Sequence, residues 1–173
     1  MKRSSAVALT LISASVLAGC EEAVETHTYP TVDACVAAKV YSPEECERNY
    51  QEALTQNAAV APKYQSLADC EAEFGAGQCT AGQQQAGSSS MGFFMPFMMG
   101  YLMSNALNSG PASVAAQPLY RGRNGGYFTA GGTRVADNLG TRTTVRPSTV
   151  TAPRPTTTTL SRGGFGGRGT AVS

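Results

Sequence analysis

The stretch Ser42-Pro43-Glu44-Glu45-Cys46-Glu47-Arg48-Asn49-Tyr50-Gln51-Glu52-Ala53-Leu54 carries the strongest structural signal in the chain. Ser42 suits an N-cap, Pro43 suits the first helical position, where no backbone donor is needed, and Glu45 can return a hydrogen bond to the cap amide. Cys46, Tyr50, Ala53 and Leu54 then fall on one face at helical spacing. The helix should end before Pro62, which lacks a donor and turns Ala61 away from helical geometry. Shorter helices are expected after Thr31 and Ser66. Each of these hydroxyls stands four residues before a cysteine, Cys35 and Cys70, and a second cysteine, Cys46 and Cys79, follows each. The expected fold is therefore mainly α, a small disulfide-stapled helical domain over residues 31–80.

Disulfides are the natural state of these four cysteines in an oxidising compartment. Turns at Pro43 and at Gly75-Ala76-Gly77 favour Cys35 with Cys46 and Cys70 with Cys79, and a crossed pairing that links the helices stays open. A loop of this size contributes about 3 kcal/mol by the chain-entropy argument, which matters because so short a segment buries little core. Zinc is disfavoured, since neither spacing resembles a Cys-x₂₋₄-Cys ligand hairpin. The absence of a Cys-x-x-Cys argues against a redox-active pair.

Upstream, Met1-Lys2-Arg3-Ser4-Ser5 precedes a mainly apolar run from Ala6 to Val16 and then Leu17-Ala18-Gly19-Cys20. This reads as a bacterial export signal over residues 1–19; the run is shorter than the roughly 20 apolar residues that a membrane span needs. Leu17-Ala18-Gly19-Cys20 resembles the lipobox of bacterial lipoproteins. The resemblance implies acylation of the Cys20 thiol, cleavage before it and acylation of the new amino terminus. Two or more chains make such attachment stable. By resemblance to Gram-negative lipoprotein sorting, Glu21 in place of Asp favours the outer membrane, facing the periplasm, and residues 20–30 read as a tether.

Beyond a polar linker at 81–90, residues 91–107 form an uncharged Met- and Phe-rich segment with Pro96 in its middle. It reads as an apolar contact segment for lipid or protein, presented by Phe93, Phe94, Phe97, Met98, Tyr101 and Leu102, with packing onto the stapled helices as the plainer reading. Met91, Met95, Met99 and Met103 recur at intervals of four. Thioethers are soft Cu(I) ligands, so a copper-binding module is the alternative function, against which stand the interleaved Phe residues and the lack of a nearby His.

The formal net charge of +1 over 173 residues hides two halves of opposite sign. From Cys20 to Leu107 only Lys39, Arg48 and Lys63 oppose eleven carboxylates; from Asn108 to Ser173 eight arginines face Asp137 alone. The second half either folds back on the first or binds something anionic, such as an envelope polymer. Its runs of Gly, Thr and Pro bury too little to fold alone, so residues 108–173 read as a disordered cationic tail. Within it Leu119-Tyr120 and Tyr127-Phe128 flank Asn124-Gly125-Gly126 as a hairpin would, although the residues between lack strand alternation. Arg162-Gly163-Gly164-Phe165 and Arg168-Gly169 resemble RNA-binding RGG segments, but nucleic acid is not expected as a partner of an exported chain.

Catalytic chemistry is not legible. The single histidine, His27, lies seven residues from Cys20, and there is no Gly-x-Ser-x-Gly, His-Glu-x-x-His or phosphate loop. No catalytic residue, metal site or cofactor is assigned.

Ala61-Pro62-Lys63-Tyr64, Asp69-Cys70, Phe74-Gly75 with Gly77-Gln78-Cys79, Met95-Pro96 with Gly100-Tyr101, Gln117-Pro118-Leu119 and Arg162-Gly163-Gly164-Phe165-Gly166 occur in this order. Together they resemble the YgiB-like envelope proteins of proteobacteria, a domain of unknown function. The resemblance spans nearly all of the mature chain, with a shorter Gln83-Gln84-Gln85 linker. It implies a membrane-associated envelope protein, sometimes encoded beside a glutathionylspermidine-synthase-like ligase. The expectation is a non-enzymatic outer-membrane lipoprotein serving as scaffold or interaction protein, or an accessory factor of such a ligase.

Overall fold

The computed structural model describes residues 23–82, 92–104, 116–156 and 159–160. In chain order these form β1 (Val24–Tyr29), α1 (Val32–Ala38), α2 (Pro43–Val60), β2 (Lys63–Tyr64), α3 (Leu67–Phe74), β3 (Cys79–Ala81), β4 (Phe94–Pro96), β5 (Gly100–Ser104), β6 (Ala116–Arg121), β7 (Tyr127–Thr129), β8 (Arg134–Ala136), β9 (Arg142–Val145), a 3₁₀ turn (Pro147–Val150) and β10 (Thr159–Leu160).

The three expected helix starts are built as the capping chemistry requires. Thr31, Ser42 and Ser66 accept hydrogen bonds from the amides of Ala34, Glu45 and Asp69, and Glu45 returns a bond to the Ser42 amide. These bonds satisfy donors that the first helical turn leaves unpaired. Two disulfides, Cys35–Cys46 and Cys70–Cys79, staple α1 to α2 and α3 to β3, with Cα atoms 5.8 and 6.2 Å apart.

The rest corrects the mainly α expectation. β8, β7, β6, β5, β1 and β9 hydrogen-bond side by side, in that order, into one antiparallel sheet. Its two outer strands, β8 and β9, are consecutive in the chain and meet through the Thr143 hydroxyl, which donates to the Val135 carbonyl oxygen at 2.9 Å. The sheet therefore curls into a nearly closed barrel. A second sheet, in the order β10, β2, β4, β3, flanks it.

Alternation along each strand sets the two faces of the barrel wall. Leu102, Leu119, Val135, Val145 and Val150 cluster inside. They share the interior with buried polar groups whose needs are met locally: Thr26 donates to the Thr143 carbonyl, and Gln117 donates to the carbonyls of Thr149 and Thr151. Outside the wall, Tyr29, Tyr101 and Met103 pack against Cys35, Cys46 and Ala53 of the helices. A further cluster of Ala61, Tyr64, Cys70, Phe74 and Tyr120 joins α3 to β6 and the second sheet. Gly100 is required where β5 enters the barrel, because a Cβ there would lie 2.6 Å from Leu139 Cδ1 and 2.7 Å from the Tyr29 carbonyl oxygen.

Three segments behave differently from expectation, for one physical reason. The tether contains β1, the Met- and Phe-rich segment contains β4 and β5, and the tail supplies β6 to β10. None buries enough by itself, but β6 pairs with β5 and β9 with β1, so the described part of the tail folds on the head rather than alone. The Leu119-Tyr120 and Tyr127-Phe128 segments do form a hairpin, β6–β7, closed by the Gly122 amide on the Gly126 carbonyl. Cys20, Gln83–Gln85, Met91 and the Arg162–Gly169 motif lie outside the described residues.

Candidate functional site

Tyr101 and Leu102, expected on a contact surface, are buried on opposite faces of β5, in the outer and inner cores respectively. The correction follows from strand geometry: successive side chains point to opposite faces, and both faces of β5 are covered. Phe94 and Met98 are half-buried against different clusters. Phe93 is half-buried beneath the Lys63 ammonium, 5.1 Å from its ring centre. Only Phe97, 46% exposed, stands out as surface. The six residues do not form one patch.

The methionine stripe is divided as well. Met103 lies in the outer core, its Sδ 3.6 Å from Cys35 Sγ, whereas Met95 packs in the α3 cluster. Cys35 is disulfide-bonded, so this is a sulfur–sulfur packing contact with no proton to share. Among the described residues, no three His, Cys, Asp or Glu side chains group as metal ligands.

His27 lies on the outer face of β1, its Nδ1 3.3 Å from the Tyr41 hydroxyl and its ring parallel to that of Tyr29. Burial holds the His27 imidazole below its ordinary value, against the opposing pull of Glu25. Burial also pushes the Tyr41 phenol up to about 12, with Tyr29 and nearby carboxylates adding to the shift. His27 is therefore neutral at physiological pH, and the Tyr41 hydroxyl that faces it keeps its proton.

Charge is organised at a larger scale. Most described carboxylates ride on the three helices, while the described arginines of the second half lie on β6, β8 and β9, in the β6–β7 turn and just after β9, with Arg154 beyond the 3₁₀ turn. Two of those arginines are committed: Arg134 pairs with Asp137, and Arg142 Nη1 lies 3.3 Å from Glu25. Arg146 is exposed, and among the described residues no carboxylate lies within ion-pair distance of it. Beside it the β8–β9 seam opens into a cleft of about 290 Å³, lined by Thr133, Arg134, Thr144, Arg146, Ser148 and Thr149.

Strand direction places this cleft. Val24, the first residue of β1, pairs with Val145, the last of β9, so Arg146 and the 3₁₀ turn lie at the barrel end where β1 begins. Near the opposite end, a cleft of about 300 Å³ lies between α3 and the β6–β7 turn, where the Arg123 amide donates to the Glu73 carbonyl at 2.9 Å. Reading the tail as disordered hid the first cleft. The alternation of Thr143 and Val145, inward, with Arg142 and Thr144, outward, was the signal that could have found it.

A family model described as "Protein of unknown function (DUF1190)" matches residues 23–173. A protein of Erwinia tasmaniensis named "UPF0441 protein" is 39% identical over 176 residues, which cover 92% of this chain and 78% of that one. No solved structure matches the chain. Both matches fit the YgiB-like resemblance carried by the motifs above.

Proposed function

This chain belongs to the DUF1190 family of proteins of unknown function, and on that premise we propose that it is a non-enzymatic lipoprotein of the cell envelope. Cys20 carries the acyl chains in the periplasmic leaflet of the outer membrane, and the disulfide-braced barrel serves as scaffold or interaction module. The observation that carries the reading is the start of β1 at Val24, only four residues after the lipobox cysteine. At most about 3.5 Å of chain per residue limits the separation between anchor and barrel to roughly 14 Å. A domain so tethered rests against the bilayer surface.

Three further facts support it. Two disulfides suit an oxidising compartment. No helix among the described residues is long and apolar enough to cross a membrane. The hydroxyl that faces the one described imidazole holds its proton firmly, since burial pushes the Tyr41 phenol up to about 12. Fractionation of envelopes tests the reading: the chain should travel with outer-membrane vesicles, and Cys20→Ala should release it. Retention of Cys20→Ala in the same fraction would overturn the lipid anchor.

A further inference from the structure

We propose that the cleft beside Arg146 seats the phosphate of an anionic phospholipid headgroup, in the leaflet that holds the Cys20 anchor. The inference rests on the anchored reading above. Three observations converge on it. First, the cleft lies at the barrel end where β1 begins, because Val145 is the register partner of Val24. With a reach of roughly 14 Å from Cys20, that end meets a headgroup layer about 5–8 Å deep on each side of the bilayer.

Second, the donors suit a phosphate and are unspent. Arg134 is held by Asp137 and Arg142 by Glu25, which leaves Arg146 as the uncommitted guanidinium of the cleft. Thr133, Thr144, Ser148 and Thr149 line the cleft with it, and among the described residues their hydroxyls make no hydrogen bond. A guanidinium fork matches two phosphate oxygens, and hydroxyls can donate to the remaining one.

Third, the mount is rigid. The 3₁₀ turn that follows Arg146 is fixed from inside the barrel by Gln117, whose amide donates to the Thr149 and Thr151 carbonyls at 2.8 and 2.9 Å, and by buried Val150. Thr149 closes back on the Arg146 carbonyl at 2.8 Å. The backbone that carries Arg146 is thus held at a fixed place on the membrane-facing end, where an anionic surface attracts its guanidinium.

The test uses the full chain as purified from membranes, reconstituted into vesicles of phosphatidylcholine alone or with phosphatidylglycerol. Flotation with neutral vesicles reads the anchor, and amide exchange over residues 144–150 reads the cleft. We expect phosphatidylglycerol to slow exchange in this segment, Arg146→Ala to reduce that protection about fivefold, as one basic residue near an anionic surface implies, and Arg146→Lys to retain part of it. Arg154→Ala, another exposed arginine, should leave it intact. Equal protection in neutral vesicles, or equal loss in Arg146→Ala and Arg154→Ala, would overturn the proposal. Protection by inorganic phosphate in neutral vesicles would assign the cleft to free phosphate and overturn the lipid. Flotation without protection removes the cleft alone, whereas failure to float removes the anchor and with it the cleft's placement at the bilayer.

Discussion

The Thr143 hydroxyl donates to the Val135 carbonyl oxygen at 2.9 Å across the seam where β8 and β9 meet. Thr143 also offers its own carbonyl to the Thr26 hydroxyl, so this residue ties β9 to the strands on both sides. Thr143→Val keeps the shape and removes the donor. It should cost about 1 kcal/mol, the net worth of such a bond, read as a lower urea midpoint with an unchanged slope. An unchanged midpoint would mean that the seam contributes nothing to closure.

The two disulfides should be unequal. Cys35 and Cys46 are both fully buried, with Cys35 Sγ against Met103 Sδ, whereas in the second pair only Cys70 is fully buried and Cys79 is half-exposed. Removing either loop constraint costs about 3 kcal/mol by chain entropy. Replacing Cys35 and Cys46 by Ala should cost more than the corresponding change at Cys70 and Cys79, because it also leaves a cavity in the outer core. Thermal unfolding of the two double variants gives the order.

Gly100→Ala forces a methyl group against the Tyr29 carbonyl and Leu139. Backbone cannot yield as a flexible side chain can, so the expected cost is roughly 1–3 kcal/mol. Leu139→Ala should recover only part of it, since the carbonyl contact remains. Full recovery in the double variant would show that Leu139 alone sets the limit.

Stability should depend on His27 with a definite sign. Its folded value lies below the ordinary 6.5 because burial disfavours the imidazolium. The unfolded chain therefore takes up a proton first as pH falls. The stability linked to neutral His27 is fully present above 6.5 and is lost as pH drops through the lower folded value. Melting temperature followed from neutral to mildly acidic pH should fall more steeply in the native chain than in His27→Gln. Parallel curves would contradict the burial of the ring.

How much of this was readable in advance depends on whether a signal is local. Ser42, Pro43 and Glu45 act on one another within a single turn, so α2 could be placed from them, and it ends at Val60 as Pro62 requires. Strand β6 is the contrary case. Its Ala116-Gln117-Pro118-Leu119-Tyr120 run is buried on both faces and shows no alternation, and Pro118 in a central strand argues against a ladder. What makes it a strand is β5, more than ten residues away, whose Tyr101 faces Pro118. β1 was obscured similarly, because its outward Glu25 and His27 resemble a solvated tether until β5 and β9 are placed on either side. The cationic cleft was hidden for the same reason, since Thr133 and Arg146 become neighbours only when the barrel curls shut.

The most direct test of the anchored, stapled barrel is an intact mass of the native chain from a Gram-negative membrane, taken without reductant beside Cys20→Ala. The account predicts a chain that starts at Cys20, carries acyl chains and lacks four hydrogens for the two disulfides, with the acyl mass absent from Cys20→Ala. A mass that retains residues 1–19, or one with four free thiols, would contradict it.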